Sequence, residues 1–74
     1  MRFYTDDQIT INEQVIDKKV AQLLNEGKTR QAQLWDSYRN FTFRVKYIDT
    51  NNLVVIQDVH GNEIHISGRG LDLV

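Results

Sequence analysis

The two histidines of this 74-residue chain, His60 and His65, are the residues whose type and spacing most directly suggest chemistry. An imidazole titrates near neutral pH and is a common metal ligand, so two of them five positions apart suggest an acid–base or metal site. Either site requires the two side chains to converge on a shared group. The elements that carry the histidines decide whether they do.

Those elements are predicted to be strands, because apolar and polar residues alternate from Phe41 onward. Asp58 and Gly61 occupy the first and fourth positions favoured in a type I turn. A second tight turn is centred on Thr50 and Asn51. Both turns direct one set of side chains to the inner face of the sheet: Phe43, Val45, Tyr47, Val54, Ile56, Ile64 and Ile66.

The two turns also predict which residues lie opposite each other. The Asp58–Gly61 turn pairs Ile56 with Ile64, and the Thr50–Asn51 turn pairs Val45 with Ile56 and Tyr47 with Val54. A slip of one residue in either turn would move apolar side chains to the other face. The two independent registers agree, which supports the predicted sheet.

This register places His60 at an exposed hairpin tip and His65 on the outer face, so the two imidazoles do not converge. Ser37 lies on a predicted helix and Ser67 follows a strand, and neither has the strand-to-helix turn that exposes a nucleophilic serine. We therefore expect no catalytic residues, no metal and no cofactor. The protein is predicted not to be an enzyme.

The residues ahead of the sheet show helical spacing. Thr10 and Glu13 have the S/T-x-x-E spacing of a capping box, which predicts a helix start. Gly27 predicts the end of that helix. A second helix with Thr29 as its cap follows, which makes an αα-hairpin, and a continuous helix through Gly27 is the alternative.

Together these elements predict a single domain over residues 1–74 of the α+β class. Residues from about 10 to 39 form the N-terminal αα-hairpin, which packs on an antiparallel β-meander in residues 41–74. The tail contributes a short apolar strand, Leu71 to Val74, which could close the meander into a small barrel of the SH3-like kind.

Composition limits the classes of protein to consider. Nine Lys and Arg against ten Asp and Glu give a formal net charge of −1, and there is no cysteine for a disulfide or thiolate metal site. No apolar run is long enough to span a membrane, and the stretch "MRFYTDDQIT" lacks a signal-peptide core. We expect a cytoplasmic protein without membrane association. Because so short a chain buries a small core, we also expect a homo-oligomer, most simply a dimer.

A protein partner is predicted from apolar side chains on the outer face of the sheet. Such a cluster is expected to be covered, and the N-terminal arm, the tail and a second subunit are all open as the cover. Trp35 and Arg39 on the second helix are residue types that dominate interface hot spots, although Trp35 and Tyr38 would equally pack that helix on the sheet. The candidate partner-binding residues are Trp35, Arg39, Ile48, Leu53 and Val55.

Nucleic acid is the alternative partner. Arg30, Arg44 and Lys46 could contact phosphates, although acids dilute these charges along the chain. The segment Gly68-Arg69-Gly70 could form an anion-binding turn, but a sharp corner in a sheet needs glycine for geometric reasons alone.

Residues 41–74 resemble the C-terminal β-region of YolD-like proteins, small proteins of Gram-positive bacteria and their phages. The shared features are Tyr47-Ile48-Asp49 at a strand end, an aliphatic strand closing on Asp58 and His60-Gly61, and a final Leu71-Asp72-Leu73. The resemblance implies an SH3-like barrel and a non-enzymatic accessory role linked to DNA damage or phage biology. It implies no catalytic residues.

The function predicted from these observations is that of a small non-catalytic binding or regulatory protein, encoded by a phage or prophage. It would self-associate and bind a protein partner. A nucleic-acid-binding regulator that uses the sheet and its basic residues is the alternative.

Overall fold

The computed structural model describes residues 2–74, and it contains two α-helices and a five-stranded antiparallel sheet. The predicted α+β class is therefore confirmed. No helix within this range is both long and apolar enough to cross a membrane. The elements in chain order are β1 (Gln8–Ile11), α1 (Glu13–Asn25), α2 (Thr29–Asp36), a 3₁₀ helix (Ser37–Asn40), β2 (Phe43–Ile48), β3 (Val54–Gln57), β4 (Glu63–Ile66), a second 3₁₀ helix (Gly68–Gly70) and β5 (Leu71–Leu73).

A strand occupies the place where the sequence predicted the first helix to begin. Thr10 lies in β1, where Ile9 and Ile11 alternate with polar residues and both point into the core. The predicted capping box is wrong. Helix α1 starts only after Asn12, whose Oδ1 accepts a hydrogen bond from the Gln14 N–H at 2.8 Å.

The predicted αα-hairpin is confirmed, and its turn is a Schellman motif. Gly27 has a φ of 77°, the left-handed conformation that glycine adopts without strain. The N–H groups of Lys28 and Gly27 donate to the carbonyls of Leu23 (2.8 Å) and Leu24 (3.0 Å). The predicted cap at Thr29 is wrong, because Thr29 is already helical and its side chain caps nothing.

The strand order in the sheet is β4-β3-β2-β1-β5. The predicted final strand exists, but it pairs with β1 and not with the meander. As a result β4 and β5 lie at opposite edges, and the sheet of residues 2–74 is open. The last strand therefore does not close the meander by pairing with it, and the likeness to an SH3-like barrel stays a prediction.

The predicted register is confirmed across β3. Ile56 lies opposite Val45 on β2 and Ile64 on β4, and Val54 lies opposite Ile66. Val45, Val54 and Ile56 are all buried, at 0%, 3% and 0% exposure. These side chains form the inner face of the sheet, as the two turns predicted.

The register fails at one point, a β-bulge between Val45 and Tyr47. The bulge adds Lys46 to β2, so that Tyr47 lies opposite Val55 and not opposite Val54. Tyr47, predicted to face inward, is 39% exposed, whereas Val55 keeps its predicted place on the outer face of β3 and is fully buried there, as the expected cover over that face requires. The extra residue turns the end of β2 over, and the sequence alone gives no signal of it.

The core lies between the αα-hairpin and the inner face of the sheet. Tyr38 packs edge-to-face on Phe43 with ring centroids 5.2 Å apart, which confirms that the second helical segment packs on the sheet. The N-terminal arm also contributes, through Phe3. The buried cluster comprises Phe3, Ile9, Ile11, Ile16, Tyr38, Phe43, Val45, Val54, Ile56 and Leu71.

Candidate functional site

The turn between β3 and β4 anchors the candidate site. The Gly61 N–H donates to the Asp58 carbonyl (3.1 Å), the Asp58 N–H donates to the Asn62 carbonyl (3.0 Å), and Gly61 has a φ of 85°. This is the predicted type I turn with a glycine in the left-handed position. Asp58 Oδ1 accepts hydrogen bonds from the N–H groups of His60 and Asn62.

The second carboxylate oxygen of Asp58 connects the turn to the helices. Oδ2 accepts hydrogen bonds from Tyr38 Oη (2.8 Å) and Asn62 Nδ2 (3.1 Å) in an environment where Asp58 is 7% exposed. Burial alone would raise the pKa of Asp58, but the hydrogen bonds from Asn62, Tyr38 and His60 outweigh it and lower that pKa to about 2. Burial, together with the Asp58 carboxylate, raises the pKa of Tyr38. The pair is therefore a neutral phenol donating to a carboxylate.

Tyr38 in turn positions Trp35, which lies one helical turn earlier. The two rings pack edge-to-face with centroids 5.4 Å apart, and Lys19 of α1 places its Nζ 5.6 Å from the centroid of the indole. Trp35 is partly buried. Asp58, Tyr38 and Trp35 thus form a chain of contacts that runs from the hairpin turn to the surface.

Trp35 stands in the middle of a groove between β4 and the two helices. Its two halves have volumes of about 430 Å³ and 360 Å³. We call this feature the Trp35 groove. The residues common to both halves are Lys19, Trp35, Ile64 and His65; Gln31 and Leu34 lie at one end, and Val15, Lys18 and Ile66 at the other.

The strand that lines the groove is a free edge of the sheet, because β4 has a neighbour only on its β3 side. The Asp58 N–H bonds to the Asn62 carbonyl, and bonded and non-bonded pairs alternate along an antiparallel ladder. The peptide groups of Ile64 therefore face β3, whereas those of Glu63 and His65 face outward. Among residues 2–74 no loop or helix supplies an acceptor for these two N–H groups.

The charges along the groove are unequal. Glu63 forms an ion pair with Lys46 of β2 at 2.7 Å. Lys18 and Lys19 on the α1 wall form no ion pair with any Asp or Glu of residues 2–74. His65 Nδ1 lies 2.9 Å from Asp49 Oδ2. The unpaired charge of the groove is therefore positive.

The contact between His65 and Asp49 is one that the sequence did not reveal. It joins β4 to the end of β2, so it crosses the outer face of β3 beside Val55. His65 is the cross-strand neighbour of Val55, which has no exposure within the described chain, so its burial requires no partner subunit. The hydrogen bond from His65 is also the leading cause of a lowered pKa for Asp49, and the Leu53 N–H contributes to it.

Of the five predicted partner-binding residues, the groove contains only Trp35. Ile48 is 41% exposed and Leu53 is half-buried, and both lie around the β2–β3 turn, away from the groove. Val55 cannot contact a partner because no part of it is exposed.

Arg39, the remaining predicted partner-binding residue, is engaged within the protein. Its guanidinium forms ion pairs with Asp17 and Asp36, both at 2.7 Å, which raise its pKa through hydrogen bonds to Asp36 first and Asp17 second. It therefore joins α1 to the end of α2. These contacts leave Arg39 less available to a partner than its residue type suggested.

The three residues predicted for nucleic acid do not form one basic surface. Arg30 lies in the first turn of α2, beside the hairpin connection, whereas Arg44 and Lys46 lie on β2. Lys46 is neutralised by Glu63.

The two histidines lie in different places, as the predicted register required, and do not share a site. His60 is exposed at the hairpin tip, and His65 lies on the outer face. The part of the chain that the structure describes contains no group of three or more His, Asp or Glu side chains arranged to hold a metal. The sequence missed the groove, because the predicted tail strand would have covered the edge of β4 that the structure leaves open.

Comparison with protein-family models, curated proteins and solved structures gives no match to this chain. The resemblance to YolD-like proteins therefore stays a prediction, and any statement about function depends on the geometry of the Trp35 groove.

Proposed function

We propose that this protein is a non-catalytic binding protein that takes an extended, acidic segment of a protein partner along the edge of β4. The observation that carries the proposal is the free edge of β4 beside Trp35. An added strand would receive hydrogen bonds from the outward peptide groups of Glu63 and His65. Alternate side chains of that strand would pack on Trp35.

The positive charge of the Trp35 groove indicates which partner segments it can bind. Lys18 and Lys19 line the helical wall of the groove, while Glu63 already has Lys46 as its partner. Acidic side chains on the added strand would complement the two lysines, and basic ones would be repelled. Because Trp35 and the two lysines lie on the same side of the groove, the expected ligand carries both acidic and apolar residues on the face that it turns toward the helices.

The side chains in the groove favour recognition over chemistry. His65 and Asp49 resemble part of a catalytic triad, and Ser67 follows two positions after the histidine. However, His65 Nε2 lies 3.9 Å from the carboxylate of Glu63. The ring nitrogen that would activate a hydroxyl therefore faces an acid on the same strand, and Ser67 Oγ accepts the Arg69 N–H instead.

A titration with short model peptides tests the proposal directly. Trp35 is the only tryptophan, so its fluorescence reports on the groove alone. A blocked peptide of repeating Val-Val-Glu-Glu, which places both residue types on each face of an extended strand, should change that fluorescence saturably. A valine–lysine peptide should bind at least about tenfold more weakly, and added salt should reduce the difference.

Variants of the groove locate the binding. By calorimetry, Trp35→Ala should weaken the valine–glutamate peptide by about 30-fold. Trp35→Phe should retain part of the affinity and so controls for misfolding. Arg44→Gln, which removes a positive charge outside the groove, should bind normally. Binding that is unchanged in Trp35→Ala, or absent for all peptides, would rule the proposal out.

The predicted homodimer would compete for the same surface. Two copies could pair β4 edge to edge, and such a dimer would cover Trp35. Sedimentation equilibrium with and without the valine–glutamate peptide separates the occupants. A monomer that binds the peptide supports the partner segment, whereas a dimer that the peptide cannot dissociate assigns the edge to a second copy.

A further inference from the structure

A second cleft lies between the N-terminal arm, the β2–β3 turn and the second 3₁₀ helix. It has a volume of about 610 Å³ and does not include any residue of β4 or of the two α-helices. Arg2 of the arm and Arg69 of the 3₁₀ helix both line it, and both are exposed. We call it the arginine cleft.

A close contact between Phe3 and Gly68 builds the cleft. Phe3 is 7% exposed and belongs to the core, and a Cβ placed on Gly68 would lie only 2.8 Å from Phe3 Cε2. The ring therefore sits directly against the backbone of the 3₁₀ helix. Since Arg2 precedes Phe3 and Arg69 follows Gly68, this contact brings the two arginines to one cleft.

The arm is fixed on its other side by Asp7. Asp7 Oδ2 accepts the Tyr4 N–H at 2.8 Å, and the Asp7 N–H donates to the Tyr4 carbonyl at 3.1 Å. Tyr4 is 61% exposed and lines the cleft. The arm thus presents the Tyr4 ring and the Arg2 guanidinium, two residues apart, on a backbone that Asp7 anchors.

The electrostatic character of the cleft differs from that of the chain. The whole protein has a formal charge of −1, yet two arginines and no acid line the cleft. Neither arginine forms an ion pair with an acid of residues 2–74, whereas Arg39 and Lys46 each do. Asn52 adds an amide, and Ile48 and Tyr4 add exposed apolar surface.

We propose that the arginine cleft binds a phosphate group and an aromatic base carried by the same sugar, as in a nucleotide, either free or at the end of a single strand. Two guanidinium groups suit a phosphate because each can form paired charge-assisted hydrogen bonds. The exposed ring of Tyr4 offers a surface on which a base stacks. The volume matches small-ligand sites of about 300–1,000 Å³.

The residues that contact the anion in this proposal differ from those predicted for nucleic acid. Arg30, Arg44 and Lys46, the residues predicted for nucleic acid, are outside the cleft. Arg69 belongs to the Gly68-Arg69-Gly70 segment, whose glycine is needed for the contact with Phe3. In that segment Gly68 therefore serves the geometry of the corner, and Arg69 beside it serves anion binding.

Amide chemical shifts from NMR test the cleft with four probes: inorganic phosphate, a nucleoside, the nucleoside 5′-monophosphate and a short single-stranded oligonucleotide. The monophosphate should shift the amides of Tyr4, Asn52 and Arg69, and should bind at least about fivefold more tightly than either the nucleoside or phosphate. An oligonucleotide that binds more tightly still identifies a strand as the source, and equal affinity identifies a free nucleotide.

Variants decide whether the arginines carry the binding. Arg2→Gln and Arg69→Gln should each weaken the monophosphate by about fivefold or more, whereas Arg44→Gln should leave its affinity unchanged. Both glutamine variants lie on exposed side chains and should keep the wild-type melting temperature. Absence of monophosphate binding, or equal weakening by Arg44→Gln, would overturn the proposal, and neither result affects the Trp35 groove.

Discussion

The two turns of the β-meander, which begin at Asp49 and Asp58, have nearly the same local structure. In each, one carboxylate oxygen accepts hydrogen bonds from the N–H groups two and four residues later, at 2.8–3.0 Å. Each also has a residue with positive φ at its fourth position, Asn52 at 62° and Gly61 at 85°. Local sequence and local hydrogen bonding therefore do not distinguish them.

The turns differ in where the second carboxylate oxygen goes. That of Asp58 receives Tyr38 Oη inside the protein, and that of Asp49 contacts His65 on the outer face. Through Tyr38, the Asp58 turn holds Trp35, and through His65 the Asp49 turn holds the opposite wall of the Trp35 groove. Two turns with the same local structure should therefore contribute differently to the free energy of unfolding, because different elements pack against them.

The largest effect is expected in β3, the strand that joins the two turns. Ile56→Asp places a carboxylate between Val45 and Ile64 at a position with no exposure, which should cost about 5 kcal/mol and unfold the domain. Gln57→Asp, its exposed neighbour, is the matched control and should remain folded. Circular dichroism measures both, and a folded Ile56→Asp would refute the register that places the turns.

The next effect separates the two aspartates. Asp58→Ala leaves Tyr38 Oη and three other donors without their acceptor inside the protein, and should cost about 3 kcal/mol. Asp49→Ala removes the corresponding turn bonds but leaves no buried hydroxyl without an acceptor, so it should cost clearly less. Urea denaturation measures the free energy of unfolding of both variants. Equal losses would contradict the difference between the two turns.

Acid should act through Asp58. Its pKa falls from 3.8 to about 2 on folding, so its contribution to stability is complete above about pH 4 and is lost as the pH falls toward 2. We expect a loss of about 1–2 kcal/mol over that interval. Asp58→Asn should lose less stability than the wild type between pH 4 and pH 2 in the same denaturation experiment, whereas an unchanged acid dependence would contradict the assignment.

The smallest effect concerns the histidines. His65→Ala removes the contact with Asp49 and part of the cover over Val55, which should cost about 0.5–1 kcal/mol. His60→Ala, at the tip of the other turn, should cost less than about 0.5 kcal/mol. Thermal melts at neutral pH compare the two. A larger loss for His60→Ala than for His65→Ala would show that the imidazole at the hairpin tip, and not the one facing Asp49, stabilises the sheet.

Features encoded by a few neighbouring residues were predictable from the sequence. Gly27 ended the first helix, and Asp58 with Gly61 fixed a turn and the register beyond it. Strand β1 was not predictable, because four residues form a strand there only by pairing with β2 and β5, more than 30 residues away. Its polar and apolar pattern is too short to distinguish from a helix start.

The bulge and the candidate site depended on tertiary contacts in the same way. Lys46 shows no feature of a bulge, so Tyr47 was predicted to face inward although it is 39% exposed. Trp35 was singled out by residue type, but its groove forms only when α1, α2 and β4 meet. The contacts from Asp58 to Tyr38 and from Asp49 to His65 span 20 and 16 residues, beyond the reach of local patterns.

Amide hydrogen exchange along β4, followed by NMR, tests the central claim most directly. In the free monomer the N–H groups of Ile64 and Ile66 should exchange slowly, because they face β3, and those of Glu63 and His65 should exchange rapidly at the open edge. Saturation with the valine–glutamate peptide should slow the exchange of Glu63 and His65. Protection of these two amides in the free monomer, or rapid exchange that persists when the peptide is bound, would contradict the claim that β4 receives an added strand.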